Sequence, residues 1–165
     1  MKQIFRMVFA ASLVIMSACT NTGSGFFGNE NGTGGLGGTG SAAVGSAAEF
    51  QSAVGDRVFF EMDQSTLNSD AKTLLSSQAQ WLISNSDYNV VLEGHADEQG
   101  TREYNLALGA RRANSVKEYL VSLGVSGDRL QTVSYGKERP IEICSAESCY
   151  SQNRRAVSVL DNLGF

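Results

Sequence analysis

The chain has 165 residues, 13 basic and 17 acidic side chains, a single histidine and a net charge of −4. That length allows one modest domain. The acidic balance excludes a nucleic-acid binder, because phosphate contacts demand clustered Lys and Arg.

The N-terminus reads as an address. Lys2 and Arg6 precede an apolar run of ten residues, Met7 to Met16, which ends in Ser17, Ala18 and Cys19. Such a run cannot span a bilayer, which takes ~20 residues. Positive charge, short apolar stretch and small residues in that order make a secretory signal. Cys19 stands where a lipoprotein signal peptidase leaves a lipidated cysteine, with Met16 in place of the usual Leu three residues before it. Residues 1–18 are then a signal peptide. Its removal takes two basic residues and no acidic ones, leaving −6 on the mature chain. Two or more acyl chains on one cysteine anchor a protein stably.

Residues 19–50 are the lipidation site and a tether. From Thr20 to about residue 48 the chain is rich in Gly, Ser, Thr and Ala, with ten glycines and Glu30 as its only charge. Such a segment cannot bury enough apolar area to offset its ordering entropy. Its ~28 residues have a root-mean-square span of roughly 30 Å and an extended limit of about 95 Å. Phe26 and Phe27 are its one aromatic pair.

Residues 51–165 have globular composition. Val58–Met62 reads as a strand, and Asp63–Asn68 as a turn into a helix capped by Asn68 or Ser69. Leu74, Leu75, Ala79, Leu82 and Ile83 form its apolar stripe, with Trp81 packing beside it. Asn89–Ala96 is a β-rich run. A long helix is predicted from about Glu103 to Leu123, stopped by Gly124 in the favoured C′ position, with Leu106, Ala110, Ala113, Val116, Leu120 and Leu123 facing inward. Arg129–Tyr135 and Ala156–Leu160 are two further strands. The order β-α-β-α-β-β predicts an α+β fold, two layers with the helices on one face of a mixed four-stranded sheet.

The candidate site lies between the second strand and the long helix. Alternation puts Glu93, His95 and Asp97 on one side of that strand. Asn105, Leu108 and Arg112 fall three and four apart on one helical face, expected to look toward the Glu98–Thr101 loop. The expected result is a shallow pocket with the Asp97 carboxylate on one wall and the Arg112 guanidinium on the other. Arg recognises a carboxylate with two prongs, Asp accepts from an ammonium, and the helix N-terminus favours an anion. A zwitterionic amino-carboxylate fits all three. Singly, Asp97 can be a helix-start acid and Arg112 a surface partner of Glu98 or Glu118. Glu93, His95 and Asp97 could alternatively serve a metal-dependent hydrolase, though one histidine offers zinc a thin shell. Arg111 is expected in solvent, and Arg154 and Arg155 in an ion pair and surface charge rather than at a ligand.

Once Cys19 is lipidated, Cys144 and Cys149 remain as an even pair. In an oxidising compartment they can close a small ring, stabilising by on the order of 2 kcal/mol; the alternative is two free thiols.

Five blocks together resemble the OmpA-like peptidoglycan-binding family, over about residues 56–160. They are Val58-Phe59-Phe60-Glu61-Met62-Asp63, Gly94-His95-Ala96-Asp97-Glu98, Asn105 through Ala113, Ser134 through Pro140, and Asn153 through Val157. Met62 departs from the family's usual aromatic. With the lipidation signal, the Gly94–Glu98 wording is more similar to the lipid-anchored branch than to the barrel-borne one. The resemblance implies an OmpA-like two-layer sandwich and no catalysis or cofactor. It implies a site for the diaminopimelate of peptidoglycan stem peptides, with Asp97 and Arg112 as principal ligands and Asp63, Asn105 and Leu108 in support. It also implies outer-membrane sorting, since Thr20 rather than Asp follows Cys19. As partners it implies the Tol system: a periplasmic β-propeller protein, expected to compete for the wall-peptide face, and a trans-envelope protein.

Overall fold

The structure is a computed structural model that describes residues 42–161. The signal segment, Cys19, Phe26, Phe27 and the tether up to residue 41 lie outside them. Four strands, β1 (Arg57–Phe59), β2 (Asn89–His95), β3 (Leu130–Gly136) and β4 (Arg155–Asp161), form one sheet in the order β1-β4-β2-β3. β2 and β3 run parallel, while β4 is antiparallel to both β1 and β2. The helices are α1 (Ala47–Glu49), continued by a π-helical turn at Phe50–Val54, then α2 (Ser69–Ser84), α3 (Arg102–Ser122) and α4 (Glu147–Asn153).

Local chemistry sets the helix ends. Ala71 N–H donates to the Asn68 side chain at α2, and Tyr104 N–H to Thr101 Oγ1 at α3, each satisfying a donor the first turn leaves free. α3 stops at Gly124, whose φ of 101° suits a residue without Cβ. Gly124 N–H then reaches Val121 O and Val125 N–H reaches Leu120 O, a Schellman closure.

One layer of side chains joins helices to sheet. Val58, Val90, Leu92, Leu130 and Ala156 from the strands pack with Leu75, Leu82, Ala113, Val116 and Leu120 from α2 and α3. Phe50 is fully buried in this cluster, and its ring lies 5.0 Å from that of Trp81. Trp81 Nε1 donates to Glu49 at 2.9 Å. Packing therefore begins before residue 51, where composition had set the boundary: Phe50 brings enough apolar area to pull its short helix in.

The inward face of α3 also differs from expectation. Leu106 is 48% exposed, while Asn105, Leu108, Gly109, Arg112, Ala113, Val116 and Leu120 are buried. The cause is a backbone-to-backbone approach. A Cβ on Gly94 would lie 1.8 Å from Gly109 O, and one on Gly109 would lie 2.4 Å from Ser134 Oγ. Two glycines let α3 settle directly on β2 and β3, and the contact line runs through residue 109 rather than 106. Gly94→Ala should therefore cost more than the ~1–3 kcal/mol of ordinary overpacking, because the opposing atom is backbone. A lowered urea midpoint at unchanged slope would register this.

Candidate functional site

A cavity of about 350 Å³ opens between the turn after β1, the loop after β2 and the first turns of α3. Met62, Asp63, Asp97, Gln99, Gly100, Tyr104, Asn105 and Leu108 line it. The structure thus brings four of the five expected residues, Asp63, Asp97, Asn105 and Leu108, to one pocket.

Each comes with a local reason. Asp63 has φ of 60°, a left-handed turn that Asp tolerates better than most residues, and its carboxylate accepts from the Tyr104 hydroxyl. That bond raises the Tyr104 pKa, so the phenol stays a neutral donor. Asp97 lies two residues past the end of β2 and is 7% exposed. Its Oδ1 accepts from Gln99 N–H at 3.1 Å and its Oδ2 from Arg154 Nη1 at 3.3 Å. Asn105 Nδ2 donates to Gln99 O at 2.8 Å, tying helix to loop.

Arg112 is the correction. It was expected as the open wall facing Asp97, and it is wholly buried. Its Nε donates to Gln64 O at 2.8 Å, Nη1 to His95 O at 2.8 Å and Nη2 to Glu61 O at 3.1 Å. Its guanidinium carbon lies 5.2 Å from the Phe60 ring centre. The Gly94–Gly109 approach turns residue 112 toward the interior, where three carbonyls receive its donors. Neither Glu98 nor Glu118 is its partner. Burial pulls its pKa down to about 10 against the attraction of Asp97 and Asp63, so it stays cationic at neutral pH. The three carbonyls belong to the segments that carry Asp63 and Asp97. Arg112 clamps those two segments together from beneath the pocket floor.

Arg154 makes the ion pair expected at Arg154 and Arg155, and one of its partners is the pocket's own Asp97. Arg154 is buried, as is Arg155, so neither is surface charge. Arg154 pairs with Asp97 and Glu147, and its Nε donates to Phe60 O at 3.1 Å. Arg155 donates to Asn153 O and Arg139 O. The one available signal was a double arginine directly before the Ala156–Leu160 strand, where alternation sends neighbouring side chains to opposite faces. Tyr104, Gln99, Gly100 and Met62 were missed, although Tyr104 directly precedes Asn105 in the block that carries the resemblance.

Glu93, His95 and Asp97 do not converge. His95 Nε2 lies 3.5 Å from Glu93 Oε2 and its ring stacks on Tyr135, whereas Asp97 turns to Arg154. Burial first, then Arg155 and Arg139, hold the His95 pKa down at about 4. The imidazole is therefore neutral and enclosed at neutral pH. Among the described residues, no three of His, Cys, Asp and Glu are grouped to hold a metal. Cys144 and Cys149 form a disulfide with Cα atoms 5.8 Å apart.

Over residues 59–155 the chain matches the profile of the OmpA family. It is 57% identical over 130 residues to a peptidoglycan-associated lipoprotein of Mesorhizobium japonicum, covering 79% of this chain and 77% of that relative. Among solved structures, the peptidoglycan-associated lipoprotein from Burkholderia pseudomallei is similar with a TM-score of 0.65 and 36% identity, over 67% of this chain and 96% of that one. The C-terminal domain of Helicobacter pylori MotB shares the fold with a TM-score of 0.59 at 23% identity, over 64% of this chain and 84% of that one.

Proposed function

Because this chain belongs to the OmpA family, we propose that it is a non-catalytic peptidoglycan-binding lipoprotein that tethers the outer membrane to the cell wall. The observation that carries the reading is a pocket lined by two carboxylates, Asp63 and Asp97, at the N-terminal turn of α3. The free end of meso-diaminopimelate in a stem peptide presents an ammonium and a carboxylate on one carbon. Asp97 and Asp63 accept from the ammonium. The carboxylate lies toward the N-terminus of α3, where free N–H groups and the helix field favour an anion. Arg112 adds its positive charge from below the floor and fixes the spacing of the two acids. Leu108 and Asn105 supply the apolar and amide walls.

The lipid anchor and tether of the sequence give this pocket its place in the envelope, with the domain in the periplasm. Membership of the Tol system, with its β-propeller and trans-envelope proteins as partners, belongs to the same proposal and rests on the family resemblance alone.

Retention on purified sacculi tests the reading. The full chain should bind Gram-negative sacculi and be displaced by a soluble muropeptide ending in meso-diaminopimelate. A muropeptide with lysine at that position lacks the second carboxylate and should displace it at least about tenfold less well, the equivalent of one charge-assisted contact. Equal displacement by both peptides would refute the pocket assignment.

A further inference from the structure

We infer that Arg154 is a positioning residue for the Asp97 carboxylate, and that the Cys144–Cys149 ring is a brace that fixes the pocket loop. The inference rests on the peptidoglycan reading of the pocket for its consequence, but not for its geometry. Asp97, Gln99 and Gly100 all line the pocket from one short loop. Its first two side chains are held from the ring side of the molecule. Arg154 Nη1 reaches Asp97 Oδ2 at 3.3 Å. Glu98 Oε1 accepts from Ser145 Oγ and from the Tyr150 hydroxyl, each at 3.0 Å.

All the groups on the far side of these contacts trace to the disulfide. Ser145 lies inside the ring and Tyr150 follows Cys149 directly. Glu147, also inside the ring, pairs with both terminal nitrogens of Arg154. With Phe60 O holding its Nε at 3.1 Å, the guanidinium is fixed on two sides and directed at Asp97. The Arg154 side chain is only 4% exposed, so water does little to dissipate a misorientation of this pair. Lys137 Nζ holds the loop from its other side, reaching Gly100 O at 2.7 Å.

The ring keeps Ser145, Glu147 and Tyr150 directed at a single loop. Opening it takes two electrons and two protons from a dithiol. The dithiol becomes a disulfide while Cys144 and Cys149 become thiols. The freed segment then samples conformations in which Glu98 and Arg154 lose their shared support, and the Asp97 carboxylate is no longer pre-set. Affinity of the pocket thereby depends on the thiol state of a pair that contributes no atom to it.

The test uses the full chain purified in detergent, oxidised or reduced with dithiothreitol, and titrated with a meso-diaminopimelate muropeptide. Reduction should weaken binding by roughly three- to tenfold, because it loosens the loop without removing any group that lines the pocket. Arg154→Gln should weaken it more than about tenfold, with Arg154→Lys recovering part of the loss. Tyr150→Phe, which removes one hydroxyl and nothing from the core, should weaken it by about threefold. Amide hydrogen exchange without ligand reads the brace directly. Gln99 and Gly100 should exchange faster after reduction and in Tyr150→Phe, while Leu75 and Leu82 in α2 keep their protection. Wild-type exchange at Gln99 and Gly100 in both forms would overturn the inference. If the oxidised wild type fails to bind the muropeptide, the peptidoglycan reading falls and the exchange data alone decide the brace.

Discussion

Asp97→Asn should release the protein from sacculi. The substitution keeps size and shape and removes only the charge that an ammonium seeks. A hydrogen bond to a charged group contributes roughly 1.5–3 kcal/mol, so retention should fall by more than about tenfold. The fold should survive, because Arg154 keeps Glu147 and the Phe60 carbonyl as partners. Asp63→Asn should act in the same direction through the second carboxylate of the pocket. The two effects should not add, because both acids face one cavity and both interact with the Arg112 charge. Retention of Asp97→Asn at the wild-type level, with an unchanged melting curve, would remove the basis for an ammonium site here.

Much of this architecture was legible in the chain. Strand alternation and helical stripes gave the order of the four strands and the two long helices, the mixed sheet and the cap at Gly124, because those patterns report which face is buried; the short α1 and α4 carry too few apolar residues for such a stripe and were not read. Four pocket residues were also legible: Asp97, Asn105 and Leu108 because they are local to one strand–loop–helix unit, and Asp63 through the family resemblance alone. What stayed hidden depends on partners far away in sequence. Gln78 is buried because Gly55 O and Ser158 Oγ lie at its two ends. Arg129 is held by the carbonyls of Leu82, Asn85 and Tyr88. Arg154 reaches Phe60 across most of the domain. A polar side chain looks like a surface residue until its carbonyls are in place, and periodicity alone cannot supply them. The rotation of α3 was hidden for a related reason. Glycine carries no hydrophobic signal, so the stripe seemed to run through Leu106 when the closest approach runs through Gly109.

The same blindness makes Arg112 the most informative position to change. Arg112→Met keeps the side chain long but takes the guanidinium donors from three backbone carbonyls, those of Glu61, Gln64 and His95, of which Glu61 O keeps the Gln64 N–H. A hydrogen bond from a charged donor contributes roughly 1.5–3 kcal/mol, less at the part-buried Glu61 and Gln64 carbonyls than at the buried His95 carbonyl, and a domain of this size has only about 5–15 kcal/mol of stability. The expected loss of about 3–5 kcal/mol should lower the urea midpoint by roughly 2 M at an ordinary slope. Arg112→Lys should rescue little, because one ammonium cannot serve three carbonyls arranged around a planar fork. Sacculus binding should fail in both variants along with the fold, since the clamp spaces Asp63 and Asp97. A ligand-contact role predicts the opposite pairing, a wild-type urea midpoint with binding abolished. That outcome would mean that the guanidinium leaves its carbonyls to meet the ligand carboxylate, and the pocket would then have two charged walls rather than an acid rim above a buried cation.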